Sequence, residues 1–220
     1  MPLSLDHQLF LSINADHGLP WLDLFMAIFS SFDFWLPFFI AAGLLLAWRG
    51  GFRARAMLVC LLLTVALMEG ALVNPLKDAI GRVRPIDALP EARSVSLAKV
   101  SPRLLAVAQP VRVKPAKIDQ PPKPGKSLPS GHTANMFCFA TVLAAFYGWR
   151  GALFFLPAGL VGFSRIATGS HWPSDVLLSA VFSIAVTAGL LAVYCWLWRR
   201  LAPRYFPALA TAHPGLLGRA

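Results

Sequence analysis

Long apolar runs, almost free of charge, are the feature that most limits what this chain can fold into. Residues 34–48, 133–149, 152–163 and 176–198 carry no Asp, Glu, Lys or Arg, and residues 56–76 carry only Glu69. Such runs are hard to cover in one small water-soluble core, but they suit a bilayer, which a helix crosses in ~20 apolar residues. Only 14% of the 220 residues are charged, against about a quarter in soluble domains. The expected fold class is an all-α integral membrane helix bundle: five transmembrane helices, N-terminal interfacial helices and a long polar extracytoplasmic loop. The net charge of +10 does not argue for nucleic acid. The cations lie in one loop and at the ends of the apolar runs, not on a soluble basic face.

Residues 1–30 fit this frame less cleanly. Leu5, Leu9 and Ile13 make a stripe at helical spacing, with Asp6 and Ser12 off it. Residues 14–20 break the pattern, and 21–29 are apolar apart from Asp23. They read as two short helices on or partly in the membrane surface; a sixth, degenerate span is the competing reading. Residues 77–130 form a Pro-rich polar loop between the second and third spans. In it Val111-Arg112-Val113 is β-prone, and residues 121–125 are extended or turned. Residues 1–205 thus make a single membrane-embedded domain, and 206–220 a loose C-terminal tail in which His213 needs no function. Cys60, Cys138 and Cys195 all fall in apolar runs and read as small buried hydrophobes. Nothing in their spacing suggests a metal site, and no cofactor is expected. Glu69, costly in lipid, should face protein or water and pair with an Arg near the polar end.

The short connections set the orientation. Arg49, Arg53, Arg55, Arg150, Arg199, Arg200 and Arg204 lie on them, while residues 1–48 hold four Asp and no Lys or Arg. The positive-inside rule places those connections in the cytoplasm; long loops translocate largely regardless of charge, so the basic loop does not overturn it. No cleavable signal peptide is visible, so the first span should direct insertion.

Three polar clusters should then meet on the outer face. The first is Lys77-Asp78-Ala79-Ile80-Gly81-Arg82-Val83-Arg84-Pro85. Lys77 and Arg84 stand seven apart, so on a helix they share a face, and Pro85 should end that helix near Arg84. The second is Pro129-Ser130-Gly131-His132 at the start of the third span. Ser130 is a plausible N-cap, and the helix N-terminus attracts anions. The third is Ser164-Arg165-Ile166-Ala167-Thr168-Gly169-Ser170-His171-Trp172-Pro173-Ser174-Asp175, a polar turn between two apolar runs. Pro173 can open a helix there, which lets Asp175 reach back to the His171 ring and fix its tautomer. Each cluster alone has an ordinary reading as helix caps and interfacial polar residues. Two spans separate His132 from Arg165, so both lie at the same membrane surface, where Lys77 also ends its span.

These residues resemble the type 2 phosphatidic acid phosphatase family, whose signature is a Lys six residues before Arg-Pro, then Pro-Ser-Gly-His, then Ser-Arg with five residues to His and three more to Asp. Lys77, Arg84-Pro85, Pro129 to His132, Ser164-Arg165, His171 and Asp175 match every position. The resemblance implies that His171 attacks phosphorus to form a phosphohistidine, that Asp175 orients it, and that His132 protonates the leaving oxygen and then activates water. Lys77, Arg84, Arg165 and the Ser130–Gly131 backbone would hold the phosphate oxygens, without metal. Arg82, outside the signature, reads as a solvated or headgroup-facing cation. The family usually has six spans, against five counted here.

The implied partners are the bilayer and a lipid phosphate substrate; the oligomeric state stays open. In a bacterium the candidates are undecaprenyl diphosphate, phosphatidylglycerophosphate, phosphatidate and the phosphates of lipid A, met at the inner membrane from the periplasm. A lipid-to-lipid phosphotransferase using the same histidine, and a non-catalytic lipid-phosphate binding or transport protein, are the competing functions. A lipid alkoxide needs a proton to leave, whereas phosphate leaves a diphosphate more readily. His132→Ala is therefore expected to cost ~10²–10⁴ in kcat on a phosphomonoester and less on a diphosphate, and equal losses would count against this role.

Overall fold

Proline and glycine set the ends of the helices that the apolar runs form. The computed structural model describes residues 4–15, 17–116 and 125–217. Two short helices, α1 (Leu5–Asn14) and α2 (Pro20–Ser30), precede α3 (Phe32–Arg49). Next, α4 (Phe52–Leu67) runs through a π-helical turn, Met68–Val73, into α5 (Asn74–Ile80). Pro75 has no N–H for the carbonyl four residues back and its ring would strike it, which accounts for the widened turn just before it. The short α6 (Pro85–Ala88) follows. Strands β1 (Arg93–Ser96) and β2 (Arg112–Pro115) pair antiparallel, with Val95 opposite Val113 and a 3₁₀ turn, Arg103–Ala108, between them. The last helices are α7 (Gly131–Tyr147), α8 (Trp149–Ala152), α9 (Phe155–Ala167), α10 (Pro173–Tyr205) and α11 (Pro207–Ala212).

The chain is thus mostly helical. Three stretches are long and apolar enough to cross a membrane: Phe32–Arg49, Phe52–Ala88 and Pro173–Tyr205. At ~1.5 Å per residue α9, with 13 residues, reaches only ~20 Å, short of a ~30 Å hydrocarbon core. The hub is α7, which packs against α4, α9 and α10. Met57, Cys60, Val142, Leu143, Phe146 and Leu191 form the core at the end of α7 remote from Gly131. By contrast, α3 has no buried residue, as expected of a helix whose apolar surface meets lipid.

The first helix turns its leucines outward, as an interfacial helix would, and packs its other face on the bundle. Leu5 is 70% exposed and Leu9 44%, whereas Phe10 is fully buried. The inward face of α1 is Asp6, Phe10 and Asn14, spaced four apart. Phe10 packs with Ile166, Trp172 and Val176. Asn14 Nδ2 donates to the carbonyls of Arg93 (2.9 Å) and Ala167 (2.8 Å), and its Oδ1 accepts from Arg93 N at 2.7 Å. Beside a membrane, leucines prefer the outside, and the polar residues mark the protein contact.

The described part of the 77–130 loop is not free of the bundle: Val95, Leu97 and Ala106 bury themselves against Ala27, Arg93 pairs with Asp23, and Arg103 reaches Asp33 at 3.2 Å. Residues 117–124, which include most of the stretch expected to be extended or turned, lie outside the described residues. Nor is the described part of the tail loose. Beyond α11, His213 stacks on Phe52 with ring centres 4.1 Å apart, its carbonyl accepts from Trp198 Nε1 at 3.0 Å, and Leu216 joins the core around Phe146. The apolar Leu216 and Leu217 and the two rings hold the segment to the base of α4 and α10.

Asn14→Ala would leave the Arg93 amide and two carbonyls without their partner. The expected loss is ~1–3 kcal/mol, read as a lower denaturation midpoint in detergent; an unchanged midpoint would show that α1 is not held there.

Candidate active site

His171 lies in the turn between α9 and α10, 3% exposed. The carbonyl of Arg165, at the end of α9, accepts from the amides of Ser170 (3.0 Å) and His171 (3.2 Å). One carbonyl thus fixes the spacing of the cation and the imidazole. His171 Nδ1 stands 2.6 Å from the Ser127 carbonyl. A carbonyl only accepts, so Nδ1 carries the ring proton and Nε2 keeps a free lone pair. Burial pushes the His171 pKa well below the ordinary imidazole value; Arg165, Arg84 and Lys77 push the same way, and the Ser127 carbonyl opposes them. The ring is therefore neutral at neutral pH.

Asp175 does not reach the ring as the sequence suggested. Its Oδ2 is 4.0 Å from His171 Nδ1, beyond hydrogen-bond length. Instead Oδ2 accepts from Ser127 Oγ at 2.5 Å and from Trp172 N at 3.0 Å. The carboxylate at the third position of α10 caps that helix and also fixes Ser127, whose own carbonyl holds His171. Ser127 is held from behind as well, its amide donating to the Arg82 carbonyl at 3.0 Å.

Arg82 corrects a second expectation, that it faces solvent or headgroups. It donates to Asp175 Oδ1 (2.5 Å), Ser174 Oγ (2.8 Å) and Asp6 Oδ2 (2.7 Å), and it lies 5.6 Å over the Trp172 ring. Trp172 in turn donates from Nε1 to the Val83 carbonyl at 2.8 Å.

The phosphate-binding candidates converge, though not by a shared helix face. Gly81 adopts the left-handed conformation (φ 61°) and stops α5 at Ile80, as glycine does at helix C-termini. Arg84 therefore sits in an extended segment (φ −75°, ψ 154°) and not two helical turns above Lys77. The chain reverses after Gly81 and returns Arg84 to the same place, where the charges of Lys77, Arg84 and Arg165 act on one another and on both histidines. Arg165 donates to the Ser30 carbonyl at 3.1 Å and to the Ser30 hydroxyl. Among the described residues the Nε–H groups of Arg84 and Arg165 are buried without a partner. Buried donors are almost always satisfied, which makes these two candidate donors to an anion.

At the start of α7, the Ser130 amide donates to Ser179 Oγ at 2.8 Å, and its hydroxyl accepts from Thr133 Oγ1 at 2.9 Å. Ser130 is therefore fully engaged in helix packing. Its amide is taken, against the expectation that the Ser130 backbone holds an anion, whereas the amides of Gly131 and His132 have no carbonyl within the helix to bond. A Cβ on Gly131 would stand 3.0 Å from Glu69 Oε1 and 3.2 Å from Lys77 Nζ. Glycine is what lets Lys77 lie against the helix end. Glu69, on the π turn, accepts from Asn135 Nδ2 at 2.7 Å and acts on Lys77 by charge; among the described residues no Arg pairs with it, against the expectation. His132, one turn above Asn135, meets the edge of Phe32 at 6.4 Å.

Ser127, Arg82, Asp6, Ser30 and Asn135 are the participants that sequence reading did not place. Ser127 holds the imidazole by a backbone carbonyl, which leaves no mark in a sequence. Arg82 lies within the first cluster but looks like any cation at a helix end. Asp6 had one available signal: an acid on a helix that otherwise presents leucine.

A membrane-inserted helix bundle gathering two imidazoles, a buried carboxylate and three cations at one end of its helices defines a class of integral membrane protein built around an anion site. The family follows: residues 57–202 match the PAP2 superfamily, and the chain belongs to it. It is similar to the lipid A 1-phosphatase of Rhizobium etli, 25% identical over 178 residues, 80% of this chain and 64% of that protein. It also resembles the lipid A 4'-phosphatase of Bacteroides thetaiotaomicron, 24% identical over 80% of this chain and 71% of that protein. The crystal structure of Aquifex aeolicus LpxE superposes with a TM-score of 0.60 at 27% identity, covering 86% of this chain and 96% of that one. The chain spans less than two thirds of its Rhizobium relatives, 64% of one and 57% of another.

Gly131→Ala should crowd Glu69 Oε1 and Lys77 Nζ, which must each give by a few tenths of an ångström. Inorganic phosphate is expected to bind ~2–5-fold more weakly by calorimetry, the scale of a modest off-rotamer cost; unchanged affinity would count against Lys77 at the anion site.

Proposed function

We propose that the chain is a metal-independent lipid phosphatase that removes phosphate from lipid A or a related lipid phosphate through a phosphohistidine on His171. The observation that carries this reading is the Ser127 carbonyl on Nδ1. It leaves Nε2 as a neutral nucleophile among Lys77, Arg84 and Arg165. A binding protein needs the cations but has no need of an imidazole locked in one tautomer. Nε2 attacks phosphorus, and the bond from phosphorus to the lipid oxygen breaks as His132 gives that oxygen its proton. His132 then takes a proton from water; the water oxygen attacks phosphorus, the P–N bond breaks, and His171 and His132 return to their starting states. The three cations and the amides of Gly131 and His132 balance the charge on the non-bridging oxygens through both steps. The phosphohistidine ring is cationic, and the Ser127 carbonyl together with Asp175 at 4.0 Å steadies it.

Lipid A leads the substrate classes because relatives across most of this chain bear that name. In this reading five helices cross the membrane: α3, the α4–α5 run, α7, α9 and α10. The short α9 leaves its polar end recessed below the far surface. The basic short connections put the site outside the cytoplasm, in the periplasm of a bacterium's inner membrane.

Purified protein in detergent should release phosphate from a panel of lipid phosphates with no acceptor lipid, and His171→Ala should abolish release while still binding the lipid. Unchanged release by that variant would refute the nucleophile; release only with an acceptor lipid would favour phosphotransfer. The pH dependence follows from the depressed His171 pKa. An ordinary imidazole of pKa ~6.5 would be only about one-tenth neutral at pH 5.5, whereas a depressed one keeps a larger neutral share there. Alkali-quenched phosphohistidine should therefore form at subsaturating substrate with less than a tenfold slowing between pH 7.5 and 5.5, once the substrate's own ionisation is allowed for.

A further inference from the structure

We propose that Asp6 of α1, together with Arg82, is a positioning residue for the nucleophile, acting on His171 through Asp175 and Ser127. The inference rests on reading His171 as that nucleophile. Every step of the chain of contacts is at hydrogen-bond length: Asp6 to Arg82 at 2.7 Å, Arg82 to Asp175 at 2.5 Å, Asp175 to Ser127 at 2.5 Å, and the Ser127 carbonyl to His171 at 2.6 Å.

Each link has a physical reason to matter. Asp175 has no exposed surface, and a buried carboxylate is costly unless a cation and several donors compensate it. Arg82 is that cation, but it is one-third exposed and long enough to swing away. Asp6 stops it. It takes the other arm of the guanidinium, and it accepts from the Ser174 amide (2.9 Å) and hydroxyl (2.7 Å) at the start of α10. Burial opposes the charge on Asp6, but the Ser174 and Arg82 hydrogen bonds outweigh it and lower its pKa. Trp172 closes the clamp, with Arg82 and the His7 ring both against it. The α1 helix cannot slide, because Phe10 and Asn14 anchor it farther along.

Without this clamp Asp175 would lose its cation and let Ser127 move. His171 Nδ1 would lose its acceptor, and the ring could carry its proton on Nε2, where it cannot attack. The phosphate-binding cations lie elsewhere, so the damage should fall on the chemical step and not on anion binding.

The test uses the full chain in detergent and three measurements: single-turnover phosphohistidine formation at saturating lipid phosphate, inorganic phosphate affinity, and denaturation midpoint. Asp6→Asn is expected to slow phosphohistidine formation about tenfold, a typical coupling between residues of one network, with phosphate affinity unchanged within about twofold. In an Asp175→Asn background the same substitution should cost less than about twofold, because the path is already cut. Ser127→Ala supplies a second background should Asp175→Asn be too slow to follow, and Arg82→Lys should behave as Asp6→Asn does. A full tenfold loss in both backgrounds, no loss in the single variant, or a loss matched in phosphate affinity or midpoint would overturn the inference. Phosphate release by His171→Ala would instead sink the reading beneath it.

Discussion

Three like charges held together at one end of a helix bundle are the constraint on which the rest of this structure depends. Lys77, Arg84 and Arg165 repel one another and the protons of both imidazoles. At an effective dielectric of ~20, two unit charges a few ångströms apart interact by several kcal/mol, so the scaffold must hold the cations against that repulsion until an anion arrives. It does so with backbone. The end of α5, the extended segment after Gly81 and the last turn of α9 each supply one cation, and the hub helix α7 points its free amides at the same place. The Nε–H groups of Arg84 and Arg165 stay buried with no hydrogen-bond partner among the described residues.

Two of the acids, Asp6 and Asp175, are kept apart from this cluster. A carboxylate directly among the cations would compete with phosphate for them. Asp175 and Asp6 lie instead with Arg82, their own guanidinium, on the far side of Ser127. Asp175 therefore meets His171 through an intervening residue, Ser127, while its charge is already matched. Glu69 touches the cluster from below, tied to Asn135, and Asp33 acts on His132 from the rim while paired with Arg103 of the loop. Two charge systems, one open to an anion and one closed, stand back to back across His171.

Much of this was legible in the sequence. Uncharged runs mark helices, because backbone groups in lipid must be satisfied within the segment. Glycine and proline mark the ends, although Gly81 and not Pro85 stops α5. The spacing of His132, Arg165 and His171 around a helical hairpin requires that they share one end. Apolar periodicity marked the exposed stripe of α1 but not the face that packs, which Asp6, Phe10 and Asn14 carry. It failed at the tail, where Leu216 finds a core no local pattern announces.

The sequence by itself determined the helical class of the fold, which side chains are candidates for the site, and the end of the bundle where those candidates meet. These depend on residue type and on the direction of the chain through the bilayer, and both are written locally. Tertiary structure alone decided which group holds the His171 ring, where Arg82 points, which amides of α7 remain free, and that the first helix belongs to the site. Each of those is settled by a contact between distant residues, Ser127 with His171 or Asp6 with Arg82. A pairing across that much chain exists only once packing has excluded the alternatives.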